Sequence, residues 1–143
     1  MKLEVRQVTE VTDSLLEAFG RLMPQLSPRL EAPSGERLRA VAANPSAALF
    51  TAESGGAVVG ALTLVWYDVP SGRKAWIEDV VVDESMRGRS LGRMLLDHAI
   101  GHARRMSPVT LMLTSRPSRE AANAMYRAAG FEPKQTNVYK IEL

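Results

Sequence analysis

The run Arg87-Gly88-Arg89-Ser90-Leu91-Gly92-Arg93 combines glycines, arginines and the start of an apolar periodic segment, Leu91, Met94, Leu95, Ala99 and Met106. Apolar residues at that spacing predict an amphipathic helix beginning at the second half of the run. The first turn of a helix carries N–H groups without intrahelical acceptors and about half a positive charge. Glycine lets the backbone approach an anion closely, and Arg87, Arg89 and Arg93 add formal charge. This composition supplies phosphate binding. The spacing excludes two other phosphate motifs, since neither G-x-x-x-x-G-K-S/T nor G-x-G-x-x-G occurs.

Two further groups carry proton chemistry. Glu78 and Asp79 lie on the apolar segment leading into the glycine-containing loop. Neighbours on a strand point to opposite faces, so at most one of them is expected to reach a ligand directly, and the plainer alternative is that both only hydrogen-bond or pair with Arg73 or Lys74. Asn123 and Tyr126 stand three apart in Ser118–Phe131 and share a helix face. Spacing alone allows a packed tyrosine beside a surface asparagine as readily as a pair directed at one ligand. His98 and His102 have the i, i+4 spacing of zinc ligands, but Ala99 stands where H-E-x-x-H has its glutamate and no third ligand is evident, so no metal is expected. Trp66, Tyr67, Asp68 and Trp76 are candidates either for lining an acceptor pocket or for ordinary hairpin packing.

These groups must be held by a particular order of elements. Lys2 to Val8 alternates as a strand. Thr9 or Thr12 caps a helix with Leu15, Leu16, Phe19, Leu22 and Met23 on one face, and Pro24 and Pro28 are expected to break it. Ser34 caps a second helix that ends near Asn44-Pro45. Ala47–Glu53, Ala57–Asp68 and Lys74–Asp83 read as an antiparallel meander, turned at Gly55-Gly56 and at Pro70-Ser71-Gly72. After the third helix come a short strand, Val109–Thr114, a helix from Arg119 to Ala129 capped by Ser118, and a last strand, Asn137–Leu143. Gly130 and Phe131 predict a Schellman end for that helix. The order predicts a mixed α/β domain in which Lys74–Thr114 forms a parallel strand–helix–strand crossover.

Bulk composition agrees with one domain spanning residues 1–143. Net charge is +2, from 18 basic and 16 acidic residues, too balanced to imply a nucleic-acid partner. There is no cysteine, which removes disulfides, thiolate zinc sites and thiol nucleophiles from consideration. The charged start, Met1-Lys2-Leu3-Glu4-Val5-Arg6, is unlike a signal peptide, and no apolar run approaches the ~20 residues of a membrane helix. A cytoplasmic chain without a membrane or nucleic-acid partner is expected.

In their order and separation, the two motif stretches resemble the GNAT superfamily of acyl-CoA-dependent N-acetyltransferases. That family carries a loop in which Gln or Arg is followed, after two residues, by glycine, one further residue, and then Gly or Ala. Arg87-Gly88-Arg89-Ser90-Leu91-Gly92 fits except that Ser90 takes the place of the first motif glycine. The stretch Asn123–Phe131 resembles the family's later Asn, Tyr and Gly-Phe signature. The resemblance is strong from Trp76 to Phe131 and generic before Ala47.

The resemblance implies a central, mostly antiparallel sheet, splayed between its fourth and fifth strands, with helices on both faces. It implies that the amides of Arg87, Gly88, Arg89, Ser90, Leu91, Gly92 and Arg93 wrap the pyrophosphate of acetyl-CoA, the co-substrate. The pantetheine arm would lie along the backbone of Val80, Val81 and Val82 and touch Asn123. Tyr126 would lie near the sulfur as general acid, with Glu78 as base. Ser90 is expected to weaken cofactor binding. The implied activity is transfer of an acetyl group to a primary amine, carried by a small molecule or a peptide, by direct attack in a ternary complex. A non-catalytic acyl-CoA-binding regulatory module is the alternative. The acceptor pocket would come from Leu15–Asn44 and Val69–Lys74, and either a monomer or a homodimer is compatible.

Overall fold

A computed structural model describes residues 2–143. It contains two compact units, one ending at Leu113 and the other spanning Thr114–Leu143. In the first unit, β1 (Leu3–Gln7) is followed by helices α1 (Asp13–Leu26) and α2 (Gly35–Ala43), then strands β2 (Ala47–Ser54), β3 (Ala57–Val69) and β4 (Gly72–Val82). A short 3-10 turn, Glu84–Met86, leads to α3 (Leu91–Arg104) and β5 (Thr110–Met112). The second unit contains α4 (Glu120–Ala128).

The caps follow the side chains. Thr12 Oγ1 accepts from the Leu15 N–H at 3.2 Å, and Ser34 Oγ accepts from the Arg37 N–H at 3.0 Å, so each helix begins where a hydroxyl satisfies an orphan amide. Pro24, expected to break α1, instead lies inside it. The ring removes one donor in the last turn, where the helix has only Gln25 and Leu26 left to run, and Ser27 still donates to the Met23 carbonyl at 3.1 Å. Gly55 and Gly56, with φ of 57° and 86°, make the tight β2–β3 turn that only glycine enters without strain.

The sheet order is β1-β2-β3-β4-β5, antiparallel except for the parallel β4–β5 pair. Leu49 packs with Leu15, Phe19 and Leu22 of α1 and Leu38 of α2. Its neighbour Phe50 meets His98 and His102 of α3, with ring centroids 4.9 and 5.6 Å away. Successive strand residues point to opposite faces, so α1 and α2 cover one face and α3 the other. Leu22, Phe50, Leu62, Leu64, Leu91, Leu95 and Leu96 are among the fully buried side chains, each contributing roughly 1.5–3 kcal/mol of burial.

The expected last strand does not form, since Asn137–Leu143 has no regular secondary structure. Val138, Tyr139 and Ile141 are 73%, 88% and 77% exposed. An alternating pattern makes a segment able to be a strand, but the ladder also needs a neighbour, and none pairs with it among the described residues.

Candidate functional site

The site begins where β4 loses its partner. The parallel pairs between β4 and β5 are Lys74 with Thr110, Ala75 with Leu111, and Trp76 with Met112. From Ile77 to Val82 the β5-facing edge of β4 has no strand beside it among the described residues. This is the expected splay between the fourth and fifth strands. Backbone groups along this edge alternate in direction, and those of Val82, between the β3-paired Val81 and Asp83, face the open side, where an extended ligand can pair as a strand would.

A β-bulge lies in the same stretch. Thr63 opposes Glu78 and Ala61 opposes Val81, so three steps along β4 match two along β3. Asp79 and Val80 therefore share the single partner position Leu62, and Asp79 adopts φ 49°. The extra residue reverses which face is buried. Ile77 opposes Leu64, whereas Val81 joins the α1/α2 core. The alternation breaks only between Asp79 and Val80, so Glu78, opposite Thr63, and Asp79, at the Leu62 position, still stand on different faces, and both residues are largely exposed. Partial burial of its carboxyl, and secondarily the charge of Asp79, push Glu78 above its ordinary value. Neither carboxylate has an ion-pair partner among the described residues. Arg73, a possible partner by sequence, pairs instead with Asp68 at 2.9 Å.

Beyond β4, the chain is pinned before it enters the loop. Asp83 accepts from the Ser85 N–H at 3.1 Å, from Ser85 Oγ at 2.9 Å and from Arg21 Nη1 at 2.7 Å. The Ser85 amide, then its hydroxyl and the Arg21 charge, hold the Asp83 carboxyl below the usual range against the opposing effect of burial. Gln25 Oε1 accepts from the Glu84 N–H at 2.8 Å. Sequence reasoning missed this latch. Asp83-Glu84-Ser85 carries a local capping signal, but its partners Arg21 and Gln25 come from α1 and leave no local trace.

The loop itself is exposed from Arg87 to Ser90. Gly88 has φ 83°, and Ser90, the residue before α3, has φ 62° and ψ 18° with no capping bond from its side chain. Ser90 thus occupies the left-handed region at the position where the resemblance expects glycine. The first intrahelical bond of α3 runs from the Met94 N–H to the Ser90 carbonyl at 3.0 Å. The N–H groups from Gly88 to Arg93, including those of Arg89, Leu91 and Gly92, find no acceptor among the described residues. A bound anion satisfies such amides. Arg93 is partly engaged, its Nε donating to Asp97 at 2.8 Å.

Other candidates resolve as packing. His98 and His102 flank Phe50, and His102 also lies 5.5 Å from Trp66. Burial, and then the charges of Arg105 and His98, lower the pKa of His102. No group of three or more His, Cys, Asp or Glu suited to a metal occurs among the described residues.

Tyr126 and Asn123 belong to the second unit. Tyr126 is buried, and burial pushes its phenol upward against a smaller opposing effect of Arg119. It packs edge-on against Phe131 at 6.2 Å. Phe131 donates to the Tyr126 carbonyl and Gly130 to that of Arg127, both at 3.0 Å, the two bonds of the expected Schellman end. The start differs from expectation. Ser118 does not cap, because Arg119 is the residue before α4 and makes no capping bond from its side chain. Asn123 Nδ2 donates to the Arg116 carbonyl at 3.0 Å, which ties the helix to the preceding segment.

Among known proteins, the acetyltransferase (GNAT) family model matches residues 9–131. A [Ribosomal protein bS18]-alanine N-acetyltransferase from Salmonella typhimurium is 41% identical over 58 residues, a match covering 41% of this chain and 39% of that relative. A putative acetyltransferase from Agrobacterium tumefaciens shares the fold with a TM-score of 0.83 and 25% identity, covering 97% of this chain and 99% of that one. An aminoglycoside acetyltransferase from an uncultured soil metagenomic sample, crystallised with trehalose, has a TM-score of 0.85 at 18% identity, covering 99% and 96%. No helix among the described residues is long and apolar enough to cross a membrane.

Proposed function

The chain belongs to the acetyltransferase (GNAT) family, and we propose that it transfers the acetyl group of acetyl-CoA to a primary amine by direct attack in a ternary complex. The observation that carries this reading is the continuity of two unsatisfied backbone surfaces. The open edge of β4 from Ile77 to Val82 runs, through the Asp83 latch, into the partnerless amides of Gly88 to Arg93. The first surface suits an extended amide-bearing arm such as pantetheine, and the second suits a pyrophosphate.

The residues then divide the work. Arg87 to Arg93 hold the diphosphate, and the Val80 to Val82 edge takes the arm, pairing through Val82. Glu78, whose carboxyl titrates above its ordinary value through partial burial, accepts the proton that the acceptor ammonium must lose, through water. An amide of the bulge at Val80 or Val81 donates to the thioester oxygen as negative charge develops there. Tyr126, protonated at neutral pH, gives its proton to the departing thiolate. Asn123 supports the arm through its remaining amide oxygen.

The test is release of free CoA from acetyl-CoA across a panel of amines that includes a peptide with an N-terminal alanine. Amine-dependent release supports transfer. Binding of acetyl-CoA with no release on any amine identifies a non-catalytic acyl-CoA module instead.

A further inference from the structure

Two side chains of α1 reach from the helix to the start of the glycine-containing loop. Arg21 and Gln25 are four residues apart and share a face of α1. Arg21 Nη1 donates to Asp83 Oδ2 at 2.7 Å, and its Nη2 donates to the Val58 carbonyl at 3.4 Å. Glu17, one turn earlier, lies 3.6 Å from Arg21 Nε. Gln25 Oε1 accepts from the Glu84 N–H at 2.8 Å, while its Nε2 donates to the Arg21 carbonyl at 3.1 Å. Both ends of the Gln25 amide are engaged, so one orientation of the group satisfies the two bonds together.

The backbone passes these bonds on to the loop. The Asp83 N–H donates to the Val59 carbonyl at 2.8 Å, which fixes the end of β4 against β3. The Asp83 carbonyl accepts from the Met86 N–H at 2.8 Å, and Met86 is buried. The Glu84 carbonyl accepts from the Arg87 N–H at 3.5 Å. Glu84 is therefore held at its N–H by Gln25 and holds, at its carbonyl, the first residue of the loop. The fold does not depend on this link. Leu15, Ala18, Phe19 and Leu22 already bury α1. The Gln25–Glu84 bond is exposed, so water replaces it at small cost to stability. What the link sets is the offset between the open edge at Val82 and the amides of Gly88 to Arg93.

We propose that Gln25, together with Arg21, is a positioning residue for the co-substrate, holding the loop at the offset where one CoA molecule meets the β4 edge with its arm and the loop amides with its diphosphate. The proposal rests on the acetyltransferase reading and adds two residues of α1 to it. A ligand held at two places gains from the second contact only where the two places stand at the separation its own length allows. The ligand's covalent chain fixes its span, so the protein has to hold the matching one. Releasing Glu84 lets the loop sample other offsets, and binding must then select the fitting one. A ligand that carries the arm alone does not sense the change.

The test is calorimetric titration of the full chain with CoA, with pantetheine measured by its displacement of CoA. Gln25→Met removes the acceptor at similar size and keeps a good helix former. Its affinity for CoA is expected to fall about three- to tenfold, the equivalent of one lost hydrogen bond, while its affinity for pantetheine stays unchanged. In turnover, the KM for acetyl-CoA is expected to rise by the same factor with kcat unchanged. Arg21→Met, which releases Asp83 from α1, is expected to show the same selective loss for CoA. Unchanged CoA affinity in Gln25→Met, or an equal loss for both ligands, overturns the proposal and leaves the acetyltransferase reading standing. Absence of any heat on titrating the wild-type chain with CoA overturns both.

Discussion

Arg21 donates a 2.7 Å hydrogen bond to Asp83, joining α1 to the residue at which β4 becomes the loop, across 62 positions of sequence. Asp83 also caps the turn that follows, through the amide and hydroxyl of Ser85. Replacing Asp83 with Ala removes the cap and leaves Arg21 without this partner, a loss of about 1–3 kcal/mol. The folded-state carboxyl is depressed, so its contribution is present above the ordinary aspartate value of about 3.9 and is lost as pH falls through the lower folded value. Urea midpoints of wild type and Asp83→Ala are expected to differ at neutral pH and to converge in strong acid. Equal midpoints at neutral pH contradict the latch.

Ser90 bears a Cβ in the left-handed region, at φ 62°, which costs roughly 1–2 kcal/mol. Glycine removes that strain but gives back about 0.5–1 kcal/mol through the freer unfolded chain. Ser90→Gly is therefore expected to stabilise the protein by up to about 1.5 kcal/mol and to tighten acetyl-CoA binding. Thermal denaturation and calorimetry check the two effects. Weaker binding by the glycine variant shows instead that the serine hydroxyl contributes a phosphate contact.

Glu78 titrates above the ordinary glutamate value of about 4.3, through burial first and Asp79 second. A base is active when deprotonated, so kcat/KM is expected to fall as pH drops through this raised value. Glu78→Gln should lose about tenfold or more in kcat/KM at neutral pH and erase that acidic limb. The raised value also means that the ionised form is disfavoured by folding, so the variant is expected to be no less stable than wild type above that pH. A pH profile superimposable on wild type removes Glu78 from the mechanism.

Tyr126 is buried, and its phenol is held protonated. Tyr126→Phe keeps the edge-on packing with Phe131 while deleting the proton. A loss of at least tenfold in kcat, with acetyl-CoA affinity unchanged, is the expected result. Steady-state kinetics beside calorimetry separates this from a packing role, which predicts unchanged kcat.

The features that sequence exposed were those written locally. Thr12 and Ser34 mark helix starts because a hydroxyl must meet an amide three residues on. Gly55-Gly56 marks a turn because both positions need positive φ, and Gly130-Phe131 marks a helix end for a related reason. Ser90 was legible as a departure from a glycine position, and its φ of 62° gives that departure a physical meaning. The hidden features depend on partners far away in the chain. The bulge at Asp79 exists only in the register between β4 and β3, and the Arg21–Asp83 contact only after α1 has packed. The alternating segment Asn137–Leu143 misled because alternation specifies a face and not a partner. Pro24 misled because a proline near a helix end costs less than one at its centre.

The central claim is that the amides from Gly88 to Arg93 grip a diphosphate. Calorimetric titration of the protein with CoA and, separately, with pantetheine tests it most directly, because the two ligands share the thiol arm and differ in the nucleotide and its phosphates. The account predicts measurable heat and saturable binding with CoA, and affinity at least tenfold weaker for pantetheine. Equal affinity for the two ligands, or no heat with CoA, contradicts it.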